Sequence, residues 1–200
     1  MRIGRLPLDE QLAALPDVLA TNPVMVSVLE GARELQLPGW WLAAGAVAQT
    51  IWNHVTGRDG AYGIRDYDLI YYDSSDLSWE AEDEAIRAGR AIFGDVPVEI
   101  RNEARVHLWY EEHFGLPCAP YTSAEDAITS FPTTTCGIGV RVTGSGEWKV
   151  FAPFGLADAF EMILRPNPRQ APRHVYDAKV ARWTAAWPEL TALPWCDPVE

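Results

Sequence analysis

Asp66 and Asp68 stand two residues apart in Arg65-Asp66-Tyr67-Asp68-Leu69-Ile70-Tyr71-Tyr72, a run rich in strand-favouring residues. Side chains alternate across a strand, so both carboxylates project from one face. Like charges that close repel unless a cation lies between them. A doubly anionic, oxygen-only donor set suits Mg²⁺ or Mn²⁺, and Mg²⁺ often combines one or two carboxylates with phosphate oxygens. Glu99 supplies a third acid on a later alternating segment, Val96 to Asn102. There Val96, Val98 and Ile100 take one face, and Glu99 and Arg101 the other. Three carboxylates on adjacent strands can hold two such ions, which clamp the attacking and leaving oxygens of an in-line phosphoryl displacement. Asp66, Asp68 and Glu99 are therefore the candidate metal-binding and catalytic residues.

A phosphate also needs donors of its own. Trp40 to Ala44 is a short apolar run expected to form a buried strand. Gly45-Ala46 follows, then Val47, Ile51 and Val55 at helical spacing. The reading is strand, glycine bend, helix. The first amides of such a helix lack intrahelical partners and favour anions, so Gly45 and Ala46 are candidate nucleotide-binding positions. Glycine also serves the bend itself. Arg65 and Arg101 either meet the phosphates or the acceptor, or simply neutralise the aspartates. The glycine-rich loop 57–63, which carries Arg58, is a nucleotide lid, a substrate contact or just a longer connection. Asn102, Arg105 and His107 follow Glu99, with His107 either an acid–base group or a structural histidine.

The remaining elements must hold these residues in place. Leu8, Leu12, Leu15 and Leu19 recur at helical spacing, with Pro16 expected to break that helix. Asn22-Pro23 caps a second amphipathic helix. Ser78 caps a third, with Trp79, Ile86 and Phe93 expected on its buried face. Short helices are expected over 104–113 and 123–130. A hairpin is expected around Gly144-Ser145-Gly146. Helices follow Gly155 and span Tyr176 to Trp187, with Pro166-Asn167-Pro168 as a linker between them. The tail from Pro194 is expected to fray. The fold class is α+β, a mixed sheet flanked by helices. It forms one domain over 1–200, with a core of about 40–152 and helical extensions at 8–37 and 155–190.

A net charge of −12 argues against a surface that grips nucleic acid throughout. An acceptor that is a small molecule or a protein is favoured over a long nucleic acid. Cys118, Cys136 and Cys196 are odd in number and far apart, with no Cys-x-x-Cys, which argues against a disulfide framework or structural zinc site. No stretch is apolar enough to span a bilayer, and Leu8-Asp9-Glu10 interrupts any signal-peptide pattern, so a cytoplasmic location is expected. Oligomeric state is not legible.

The ordered set resembles the polymerase-β-like nucleotidyltransferase superfamily. More narrowly, it resembles a bacterial family of uncharacterised nucleotidyltransferase-like proteins. The matching segments are Ala44-Gly45-Ala46, Asp66-Tyr67-Asp68, Glu99-Ile100-Arg101-Asn102-Glu103-Ala104-Arg105-Val106-His107 and Pro153-Phe154-Gly155-Leu156, within roughly residues 40–180. The resemblance implies transfer of a nucleoside monophosphate from an NTP to an acceptor, with Mg²⁺ or Mn²⁺ and release of pyrophosphate. Ala46 stands where the superfamily often has serine, and no lysine is evident near the phosphates. Those departures motivate an alternative, a catalytically inactive nucleotide-binding regulator or partner-binding module of the same fold. A nucleotide-sugar glycosyltransferase, also built on Asp-x-Asp, usually needs a larger nucleotide-binding domain than 200 residues allow.

Overall fold

The computed structural model describes residues 2–196. In chain order its elements are α1 (Leu8–Leu19), α2 (Pro23–Glu34), β1 (Trp41–Ala43), α3 (Gly45–Thr56), β2 (Tyr67–Tyr71), α4 (Trp79–Phe93) and β3 (Val98–Asn102). A 3-10 segment (Glu103–Leu108) leads into α5 (Tyr110–Phe114) and α6 (Ala124–Ile128). Then come β4 (Gly139–Val142), β5 (Trp148–Phe151), α7 (Ala157–Phe160), β6 (Ile163–Leu164), α8 (Arg173–Ala186) and β7 (Thr191–Ala192). Five strands form one mixed sheet in the order β3-β2-β1-β4-β5, and β6 pairs with β7 apart from it. β2 and β3 are parallel, joined through α4, while the other pairs in the large sheet are antiparallel.

Period-two alternation divides the sheet into two faces. Tyr67, Leu69, Tyr71, Leu42 and Ile100 enter one core with Leu15, Leu19, Met25, Leu29, Val47 and Ile51 from α1, α2 and α3. Trp41, Ala43 and Ile70 turn to the other face, against Ala124 and Ile128 of α6. Asp68, Glu99 and Arg101 share that second face. Truncating a fully buried side chain such as Leu42 or Leu69 to Ala costs about 2–5 kcal/mol. Asn22 joins three elements: its Oδ1 accepts from the Met25 amide at 3.1 Å, and its Nδ2 donates to Thr50 Oγ1 at 3.0 Å and Tyr67 Oη at 3.2 Å.

Several local expectations change. Pro16 does not break α1, and the Ala20 amide still donates to the Pro16 carbonyl at 2.9 Å. An interior proline costs about 3 kcal/mol. Burial of Leu15, Val18 and Leu19 at roughly 1.5–3 kcal/mol each offsets it. Trp79 is 57 % exposed instead of buried, with the Arg105 guanidinium 5.6 Å from its ring centroid. Asn167 is no linker residue. It is buried, and its Nδ2 donates to the carbonyls of Thr129 at 2.8 Å and Phe131 at 2.9 Å. The chain beyond β7 is tied down through Trp195. The Leu193 carbonyl accepts from Tyr176 Oη at 2.7 Å, and the Trp195 ring lies 5.8 Å from that of Tyr176. The part of the fraying expectation that covers 197–200 lies outside the described residues. No single helix among the described residues is long and apolar enough to cross a membrane.

Candidate active site

Strand register builds the site. Ala43 of β1 pairs with Asp68 of β2, and Asp68 pairs with Glu99 of β3. The chain leaves β1 one residue after Ala43, through Ala44 into α3. The first amides of α3 therefore open beside the acid pair, and no side chain caps them. Ala44, Gly45, Asp68, Glu99 and Arg101 line one cleft of about 380 Å³.

The bend is made differently from expectation. Ala44, not Gly45, takes the unusual backbone conformation, at φ 61° and ψ −133°. A Cβ at Gly45 would lie 2.7 Å from Gln49 Nε2, so any larger residue there would push the Gln49 carboxamide aside. Ala46 is fully buried in the core and does not line the cleft.

Asp66 sits just ahead of β2 and does not line the main cleft. It opens onto a neighbouring cavity of about 70 Å³ with Arg65, Gln49 and Arg182, and Trp183 borders both spaces. Among the described residues no three His, Cys, Asp or Glu side chains are grouped to hold an ion. The expected three-acid cage is thus not assembled in side-chain positions. The donor set still fits a hard divalent cation. Burial pushes the Asp68 carboxyl up to about 6, helped by the charges of Asp66 and Glu99 and opposed by Lys179 and Arg101. No hydrogen bond among the described residues relieves it. Mg²⁺ needs only one or two carboxylates when phosphate oxygens and water complete its shell.

Lys179 of α8 lines the cleft beside Gly45 and Asp68, its ammonium 5.2 Å from the Trp183 ring centroid. This is the basic group near the bend that sequence reasoning did not find. Arg182, three residues on, flanks the same ring at 5.5 Å. Glu103 also lines the cleft, and burial pushes its carboxyl up to about 8. The alternation of Glu99 and Arg101 continued one step would have pointed to Glu103. Nothing local could have pointed to Lys179, which the fold brings in from the C-terminal helix. Gln49 had a weak signal, a polar residue in a helix buried on all sides; its Oε1 is buried without a hydrogen-bond partner among the described residues.

Other candidates are structural. The Asn102 carboxamide exchanges hydrogen bonds with the backbone of Asp73 at 2.8 and 3.0 Å and caps the 3-10 segment. Arg105 pairs with buried Glu82 and donates to the Leu77 carbonyl. His107 does not line the cleft. Arg101 pairs with Glu99 at 3.6 Å and lies 5.3 Å from the Trp109 ring centroid. Loop 57–63 is fastened away from the cleft. Arg58 grips Glu189 through two hydrogen bonds, and Asn53 Nδ2 donates to the carbonyls of Gly60 and Tyr62. Of the loop's possible roles, connection is the one these contacts describe.

The sequence profile of the nucleotidyltransferase family matches residues 30–192, most of the chain. The chain belongs to the nucleotidyltransferase family. Among solved structures it is similar to an NMR structure described as revealing a CCA-adding enzyme head domain. That match has a TM-score of 0.75 and 24 % identity, over 96 % of this chain and 100 % of the other. It fixes the polymerase-β-like nucleotidyltransferase fold. No curated protein matches.

Proposed function

We propose that the protein transfers a nucleoside monophosphate from an NTP to an acceptor hydroxyl or phosphate, releasing pyrophosphate, with Mg²⁺ or Mn²⁺ as cofactor. The register Ala43–Asp68–Glu99 carries the proposal, because it sets uncapped helix amides beside paired acids. In this reading Asp68 would anchor the ion in the cleft, and Asp66, whose charge already acts on Asp68, would turn in from its neighbouring cavity as the second carboxylate; the ion would neutralise phosphate charge and favour the ionised acceptor. The amides at Gly45 and the Lys179 ammonium orient the triphosphate. Arg65 and Arg182 border Asp66 and balance its charge. Glu99, exposed at the cleft rim, takes the acceptor proton as the acceptor oxygen bonds to the α-phosphorus and the bond to pyrophosphate breaks. An acceptor of small size, or a protein side chain, suits a −12 chain better than a long nucleic acid. Replacing Asp68 or Asp66 with Asn should abolish Mn²⁺-dependent NTP binding in calorimetry. Equal binding by variant and parent would sink the assignment.

A regulator that binds nucleotide without turnover is the second reading. Ala46 in place of a hydroxyl and the ungrouped third acid favour it. Tight Mn²⁺–NTP binding, with no transfer of labelled nucleotide to any tested acceptor class, would select it.

A further inference from the structure

Two kinds of group line the cleft, charged side chains and aromatic rings. β2 and β3 run parallel, so residues on the cleft face form successive rows: Asp68 with Glu99, then Ile70 with Arg101. Rows are about 6.6 Å apart. The glycine bend lies at the first row. The rings of Trp109, Tyr110, Phe114 and Phe131 line the same cleft, with Trp183 near the bend, and so does Glu103, the residue after β3. The hydrogen bonds from Asn167 to Thr129 and Phe131 brace the segment carrying Phe131.

Glu103 is 5 % exposed, and no hydrogen bond among the described residues reaches its carboxyl. The polar groups around it are satisfied within the protein. Tyr121 Oη and Ser130 Oγ bond to each other at 2.6 Å, Ser130 Oγ donates to the Ala127 carbonyl at 2.8 Å, and Thr133 Oγ1 accepts from the Thr135 amide at 3.1 Å. Arg101 is engaged by Glu99 and Trp109. One largely buried carboxyl is thus left facing the cleft without a protein hydrogen bond, within reach of the Arg101 charge. An unmatched buried group costs stability in the free protein, and a ligand that supplies its partner recovers that cost. Burial also favours the protonated form of this carboxyl, which then offers one donor and one acceptor side by side. Nucleobases present a flat face for aromatic stacking and an edge with neighbouring donor and acceptor groups.

We propose that the aromatic lining of the cleft forms a nucleobase subsite, in which Glu103 hydrogen-bonds the edge of a base stacked among Trp109, Tyr110, Phe114 and Phe131. The proposal rests on the transfer reading, which puts phosphate at the glycine bend. The base belongs either to the NTP or to a nucleoside-like acceptor.

Calorimetry on the full chain with Mn²⁺ at neutral pH, comparing tripolyphosphate with ATP, CTP, GTP and UTP, tests it. At least one nucleotide should bind about tenfold or more tighter than tripolyphosphate. Glu103→Ala should reduce that nucleotide to the tripolyphosphate level and leave tripolyphosphate itself unchanged. Glu103→Gln, which keeps donor and acceptor, should restore most of the preference. Phe131→Ala is the second variant should Glu103→Ala not fold, and the parent comparison needs no variant. A nucleoside that binds protein already saturated with Mn²⁺–tripolyphosphate, and is lost in Glu103→Ala, assigns the base to the acceptor and also supports the subsite. If nucleotides bind no tighter than tripolyphosphate and nucleosides do not bind the saturated protein, the subsite is overturned and the phosphate site stands. If not even tripolyphosphate binds, the transfer reading beneath it falls as well.

Discussion

Glu82 and Glu103 are both buried acids, and the protein treats them in opposite ways. Glu82 pairs with Arg105 and accepts the Asn102 amide at 2.8 Å. Glu103, like Asp68, faces the cleft with no hydrogen bond from the described residues. A folded chain keeps a buried charge by pairing it, or keeps the group neutral by shifting its pKa. The first solution builds structure. The second leaves a group facing the cleft without a protein hydrogen bond, as the proposed ligand sites require. The difference between the two sites therefore separates architecture from chemistry better than residue type does.

The largest effect expected lies on the structural side. Arg105→Met leaves Glu82 buried and unpaired, which should cost about 3–5 kcal/mol of stability. Urea unfolding reads that loss, and the folded fraction should bind Mn²⁺–NTP with the parent's affinity. A loss under 1 kcal/mol would mean that the pair is not what holds α4 to the 3-10 segment.

Asp68→Asn should move stability the other way. The Asp68 carboxyl titrates near 6 in the fold and near 3.8 as a free side chain, so the folded state binds its proton more tightly. Its charge therefore opposes folding, and stability falls as pH rises from about 4 to about 6. Removing the charge should raise stability at pH 7 by about 1 kcal/mol, roughly 2–4 °C in Tm, even as metal-dependent NTP binding is lost. Destabilisation at pH 7 would place Asp68 with Glu82 among the structural acids.

Glu103→Gln sharpens the same contrast at higher pH. Its carboxyl is pushed from about 4.5 to about 8, mainly by burial, with Arg101 opposing. Between those values the folded state carries the extra proton, so this group also takes stability away as pH rises. The parent's Tm should therefore decline from pH 5 to pH 8. The variant should flatten the upper half of that decline, where Asp68 has already ionised. Parallel Tm curves for parent and variant above pH 6 would show that Glu103 ionises freely.

The sequence made the site's frame legible because the frame is local. The apolar run before Gly45, the two-residue spacing of Asp66 and Asp68, and the alternation through Glu99 and Arg101 are periodicities of single elements. They placed Gly45, Asp68, Glu99 and Arg101 on elements that meet at one cleft. Asp66 is displaced because β2 begins one residue after it, so strand alternation does not govern its side chain. Lys179 escaped because its approach to Gly45 depends on the path of the whole chain. Asn102 and Arg105 follow Glu99 with no role legible in the sequence, and their partners, Asp73 and Glu82, show them to be structural. Pro166-Asn167-Pro168 has the composition of a linker, yet the Asn167 side chain supplies hydrogen bonds that a linker would leave to water.

The smallest effect on binding belongs to the bend. Gly57 and Gly115 end their helices at φ 69° and 72°, where glycine is at ease. Ala44 starts a helix at φ 61° and ψ −133° with a side chain that resists this conformation. Such strain costs about 1–3 kcal/mol, and glycine's extra unfolded-state freedom returns about 0.5–1 kcal/mol of any relief. Ala44→Gly should thus gain about 1 kcal/mol, while the loosened bend weakens Mn²⁺–tripolyphosphate binding by a few-fold. Strain retained beside the proposed phosphate site makes sense if it aims the Gly45 amide. A variant that is more stable and binds equally well would show that the strain serves only the turn.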